Sequence, residues 1–151
     1  MSSATDAGRR FHYHFWATHR LVGALEAGRE RATAYLAHAC TSDRVWLKRL
    51  RGESTAGIEL WPTLEPAAVR DLASSNEAGW NGYLAGVDEA ALASTVSYTN
   101  TRGESYTTAV GDIIEHVLLH GAYHRGQAAA AIRAAGSAPP ATDYIVWVRE
   151  G

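Results

Sequence analysis

Apolar residues recur at helical spacing from Phe11 to Leu25, where Phe11, Phe15, Trp16, Leu21, Val22 and Leu25 form one stripe and Arg9, Arg10, Arg20 and Glu26 face water. That period predicts an amphipathic helix. Gly28 offers a break, and a second helix is predicted from Ala32 to Leu50, ended by Gly52. Residues 52–64, GESTAGIELWPTL, carry no helical period and read as a connection. Pro66 suits the first turn of a third helix running through Val69, Leu72, Trp80, Tyr83 and Leu84 to Gly86, after which Asp88 can cap one short extra turn. Thr95 to Thr107 places β-branched and aromatic residues on both sides of Asn100 to Gly103, the pattern of a short β-hairpin. Thr107 or Thr108 can then cap a long final helix that stops at Gly136, with Pro139 and Pro140 beyond. The tail DYIVWVRE alternates enough to be read as extended and packed back on the helices. The expected fold class is therefore all-α, one domain over residues 1–151.

Composition narrows the function classes. Hydrophobic residues make up 46% and charged residues 20% of the 151, ordinary values for a globular chain, and that length buries about two thirds of the unfolded surface around one core. Lys plus Arg total 14 against 16 Asp plus Glu, so there is no basic footprint for nucleic acid. MSSATDAGRRFHYHF lacks the apolar core of a signal peptide, and no stretch of about 18 apolar residues predicts a membrane span, which leads to the expectation of a cytoplasmic protein. Cys40 is the only cysteine. An intramolecular disulfide and a sulfur-rich zinc site are thereby excluded, and any metal site must use His, Asp or Glu.

Candidate chemistry sits on the final helix, where EHVLLHGAYHRGQ spaces His116, His120 and His124 by four. Each step of four turns only about 40° and rises about 6 Å, so an adjacent pair can grip one ion. All three cannot, because His116 and His124 lie about 12 Å apart along the axis whereas metal–nitrogen bonds are about 2.0–2.1 Å. The helical wheel puts Ile113, Val117, Gln127, Ala128 and Ala131 around the histidine row, with Ala122 and Arg125 on the far side. Polar rings on an apolar face need partners. A metal ion is one; backbone carbonyls, Gln127 and Tyr123 are the alternatives. A third ligand has to come from another helix, and His38 is the natural candidate, mid-helix with Ser42, Val45 and Trp46 on its side. Cys40 projects the other way as a small core residue. His12, His14 and His19 are expected to be exposed or hydrogen-bonded.

These segments together resemble a known family. EHVLLHGAYHRGQAAAAIRAAGSAPPATDYIVWVRE is similar to the signature region of the DinB family of DinB/YfiT-like metalloenzymes. LAHACTSDRVWLKRLRG resembles that family's second-helix motif, FHYHFWATHRL its aromatic first helix, and VSYTNTRGESYTT the segment before its last helix. The connection near EAGRERAT is shorter than the family's. The resemblance implies an antiparallel four-helix bundle, often a homodimer, with one divalent metal on the residues that match here as His38, His120 and His124. It leaves His116 outside the triad and matches Gln127 to the motif's glutamine, which the wheel also places where it can orient a ligand.

Three imidazoles favour zinc or nickel, then iron or manganese, and leave positions open for water or substrate. Relatives in the family include thiol-dependent S-transferases that use a low-molecular-weight thiol such as bacillithiol, and a mycothiol-dependent isomerase. What the resemblance implies first is therefore transfer of a thiol to a small electrophile lodged near Trp46 and Tyr98 or Tyr123, with Arg49 available to balance an anionic substrate. A non-catalytic or structural metal-binding dimer is the second implication. Metal-dependent hydrolysis ranks third, since no HExxH-type glutamate accompanies the motif.

Overall fold

The computed structural model describes residues 3–151. Helix α1 (Ala4–Gly23) starts earlier than the apolar stripe suggested, because Ser3 accepts a hydrogen bond from the Asp6 backbone N–H and caps it. Gly28, at φ +83°, makes the turn into α2 (Glu30–Leu50), a backbone conformation that favours glycine. Residues 53–64 contain no helix or strand. Then follow α3 (Pro66–Leu84), with its proline in the first turn, and α4 (Glu89–Ala93), capped by Asp88 as expected. Strands β1 (Thr95–Thr99) and β2 (Ser105–Ala109) form the antiparallel hairpin, with Tyr98 opposite Tyr106. Thr107 and Thr108 are used in β2, so the cap position of α5 (Val110–Ala134) falls to Ala109 rather than to a threonine.

One element differs in kind. The tail predicted as extended is a helix, α6 (Tyr144–Glu150). Its helical spacing sets Tyr144 and Trp147 on one side, both against Tyr13 of α1, at 5.0 and 5.9 Å between ring centroids. Arg9 lies over both rings, and Arg20 pairs with Glu150. Tertiary contacts with α1 thus outweigh an alternation too short to commit the segment by itself.

The four long helices pack in a closed order: α1 on α3, α3 on α2, α2 on α5 and α5 on α1. Two apolar clusters fill the space between them. One gathers Phe11, Phe15, Trp80, Ile113 and Val117, with Phe11 stacked on Trp80 at 4.5 Å. The other gathers Leu21, Leu36, Val69, Ala128 and Ile132. On each helix the residues between the clusters are buried and polar: His14 and Thr18, then Asp43, then Asn76, then His124 and Arg125. Buried polar groups are mostly hydrogen-bonded, and each of these residues makes at least one such bond, Asp43 through Oδ2 while its buried Oδ1 has no partner among the described residues. Asn76 donates to the Cys40 carbonyl, Trp80 Nε1 to the Asp43 carbonyl, and Thr18 Oγ1 to the His14 carbonyl. Helix α5 therefore crosses a polar layer at the level of its histidines. Among the described residues, no helix is long and apolar enough to cross a membrane.

Candidate metal centre

The pairing of α2 with α5 brings His38 opposite His120 and His124. Ring centroids lie 4.6 Å apart for His38 and His124, 5.1 Å for His38 and His120, and 4.4 Å for His120 and His124. One nitrogen from each ring lies within 4.8 Å of the other two, the geometry of a group that can hold a metal ion. No Cys, Asp or Glu joins this group among the described residues.

Hydrogen bonds set which nitrogens face the centre. A carbonyl can only accept, so His38 Nδ1 donates to the Leu60 carbonyl at 2.6 Å, leaving Nε2 with the lone pair. His124 Nδ1 bonds Gln127 Oε1 at 2.7 Å, which again leaves Nε2 free. That Nε2 meets His120 Nε2 at 3.1 Å. Two imidazole nitrogens this close share a proton or a cation between them. Metal–nitrogen bonds of about 2.0–2.1 Å at the tetrahedral angle would put two ligand nitrogens about 3.3 Å apart, so the observed spacing needs only a small adjustment. Fixing the outer nitrogen of a ligating histidine through a carbonyl or amide oxygen is also what metal sites use to orient the ring.

The protonation states suit ligation. Burial pushes His120 down to about 3, with the neighbouring imidazoles His124 and His38 adding to the effect. Burial likewise lowers His38, partly offset by its bond to Leu60. Both rings are neutral at pH 7, with lone pairs available.

Aromatic rings enclose the triad. Trp61 lies parallel to His38, with centroids 3.7 Å apart and planes 1° from parallel, while its edge meets His124 at 5.7 Å. Half of Trp61 is exposed, so it forms a partial cover between the imidazoles and solvent. Tyr35 faces His124 at 6.4 Å.

Behind the triad, on the side of α5 facing α1, Arg125 Nη1 donates to His14 Nδ1 at 3.0 Å, and His14 Nε2 donates to Asp43 Oδ2 at 2.8 Å. Arginine cannot accept, so His14 is a neutral link between a buried cation and a buried carboxylate. Arg125 does lie away from the histidine row, as the wheel indicated, but that side is protein interior: the residue is buried against α1. His14 is likewise buried and bonded, His19 bonds Glu77, and His12 is exposed.

Of the residues singled out in the sequence, His38, His120, His124 and Gln127 come together. His116 does not join the triad; its ring lies 5.4 Å from that of His120 and 5.1 Å from Trp46. Trp46 and Tyr98 sit on the His116 side, and Tyr123 is largely exposed, touching His124 by its edge. Sequence reasoning missed the Leu60 carbonyl and Trp61, both in the 52–64 connection. A tryptophan before proline in a connection without helical period was the one available signal for them.

A mainly helical protein with a half-covered, carboxylate-free group of three histidines able to hold a metal ion is the class that fold and site define. Residues 24–149 match the model of the DinB family. The chain belongs to that family. Comparison with curated proteins found no match.

Proposed function

We propose that the chain is a metal-dependent thiol S-transferase acting on small electrophiles, with one divalent transition ion, zinc or nickel, on His38, His120 and His124. The observation that carries this reading is the convergence of three imidazole nitrogens with no fourth His, Cys, Asp or Glu joining them among the described residues. A structural zinc normally has four protein ligands, whereas three leave room for an exogenous one. Such an ion, when bound, lowers the pKa of a coordinated thiol or water and so supplies a nucleophile near neutral pH.

The chain's own residues orient and shelter the centre. Leu60 and Gln127 hold the outer nitrogens of His38 and His124. Trp61 restricts water at the mouth and offers a flat apolar surface to an electrophile. The closed order of α1, α3, α2 and α5 supports the antiparallel four-helix bundle expected for the family. Leu119 and Tyr123, exposed one turn apart on α5, support a homodimer through that helix.

Elemental analysis of protein purified without chelators or affinity-tag metal tests the site. The expected result is about one ion per chain, lost in His38→Ala, His120→Ala and His124→Ala and kept in His116→Ala. Metal retained by all three triad variants overturns the assignment. Loaded protein is then assayed with a panel of low-molecular-weight thiols against a generic electrophile. No thiol-dependent turnover across the panel would favour a non-catalytic metal-binding module.

A further inference from the structure

A cleft of about 540 Å³ lies between the α2–α3 connection and the hairpin, lined by Arg49, residues 52–58 and residues 97–101 with Gly103. Arg49 is held there by two aromatic faces, 4.5 Å above the ring of Trp46 and 5.0 Å from that of Tyr98. Among the described residues its guanidinium forms no ion pair, and its Nε is buried without a hydrogen-bond partner. The carboxylates on this side are already engaged. Glu53 pairs with Lys48 at 3.1 Å, and Glu104 accepts from Asn100 and Tyr106 and pairs with Arg102.

An arginine is an uncommon residue to leave this way. Its planar fork of donors matches carboxylate and phosphate oxygens in pairs, and stacked rings hold the fork in a fixed plane. The ring of Trp46 continues from Arg49 to His116, which in turn touches His120. The cleft therefore adjoins the histidine cluster through a row of packed rings.

We propose that Arg49, clamped by Trp46 and Tyr98, is an anion subsite that binds the carboxylate or phosphate group of a small molecule in this cleft. That the molecule is the substrate or thiol of the transferase rests on the function proposed above. The anion site itself does not.

The arginine Nε–Hε resonances of ¹⁵N-labelled, metal-free protein report on it, with the Arg49 signal assigned through Arg49→Lys. Inorganic phosphate and succinate are titrated in separate arms, which distinguish the two anion types. The expected result is a saturable shift of the Arg49 signal by at least one of them. Binding followed through backbone amides of residues 97–101 weakens about ten- to hundredfold in Arg49→Gln, as expected for loss of charge-assisted hydrogen bonds. Thr99→Glu, which leaves Arg49 intact and adds a carboxylate to the cleft, weakens it comparably and covers the case in which Arg49→Gln fails to fold. Unsaturated shifts in both arms, or affinity unchanged in Arg49→Gln, overturn the proposal. So does binding that is lost in His120→Ala and retained in Arg49→Gln, since the anion would then sit at the histidines. Metal binding without anion binding removes this subsite and leaves the proposed function standing; the reverse outcome removes the function and leaves the subsite.

Discussion

Replacing Gly121 by alanine adds one methyl group to the helix that carries the metal-site histidines, at a place where the interior has no room for it. A Cβ there would lie 2.3 Å from His14 Cε1, 2.9 Å from His14 Nδ1 and 3.0 Å from Arg125 Nη1. Ordinary carbon contacts are about 3.5–4.0 Å. The His14 ring cannot step aside, because Asp43 holds one nitrogen and Arg125 the other. Overpacking costs about 1–3 kcal/mol, and disturbing hydrogen bonds to buried charged groups about 1.5–3 kcal/mol more. Alanine returns about 1 kcal/mol through helix propensity. The net expectation is a loss of about 1.5–5 kcal/mol, which lowers a urea midpoint by about 0.8–2.5 M at an m-value of about 2 kcal/mol/M. The control is on the same helix: Gly126 is exposed, with nothing within 4 Å of an added Cβ. Gly126→Ala should therefore stabilise by about 0.5–1 kcal/mol. Urea unfolding of the metal-free proteins, followed by far-ultraviolet circular dichroism, compares the two. If Gly121→Ala were as stable as Gly126→Ala, the locked His14 ring would be refuted.

Three further outcomes follow from the site. Gln127→Leu removes the partner of His124 Nδ1 and is expected to weaken metal affinity about 10–100-fold in a chelator competition, while Gln127→Glu, which keeps an acceptor, recovers most of the loss. An unfolded imidazole takes its proton near 6.5 whereas His120 in the folded chain does so at about 3. Between these values the unfolded state holds the extra proton, so the stability of the metal-free protein falls as pH drops from 6.5 toward 3. Urea midpoints measured across that range should fall less steeply in His120→Ala, and equal slopes would contradict the assignment. Cys40 is buried, and burial with the nearby Asp43 charge raises its thiol pKa far above the ordinary value. A chromogenic disulfide reagent at pH 8 should find no reactive thiol in the folded protein and one per chain in denaturant; rapid labelling of the native state would count against that burial.

The final helix and the two-residue limit on its chelating histidines were legible in the sequence, since rise and rotation per residue are properties of any α-helix. The same periodicity located α2 and α3, and β-branched and aromatic residues on both sides of a turn located the hairpin, with boundaries displaced where a cap such as Ser3 or a positive-φ glycine such as Gly28 intervened. The tail resisted because seven residues carry too little pattern, and its helix depends on rings supplied by α1. Resemblance, rather than spacing, chose His120 with His124 over His116 with His120.

By itself, then, the sequence determined helices α1 to α5, the polar row on an apolar face and the exclusion of a sulfur-rich site. Only the tertiary structure decided what stands across from that row. A helical wheel states an angle about one axis and nothing about the neighbouring axis, so the meeting of His38 with His120 and His124 depends on how α2 lies along α5. For the same reason Arg125 could be placed off the row but not recognised as buried against His14. The Leu60 carbonyl that sets the His38 tautomer carries no side-chain signal, because every residue offers the same group and only position in space distinguishes this one.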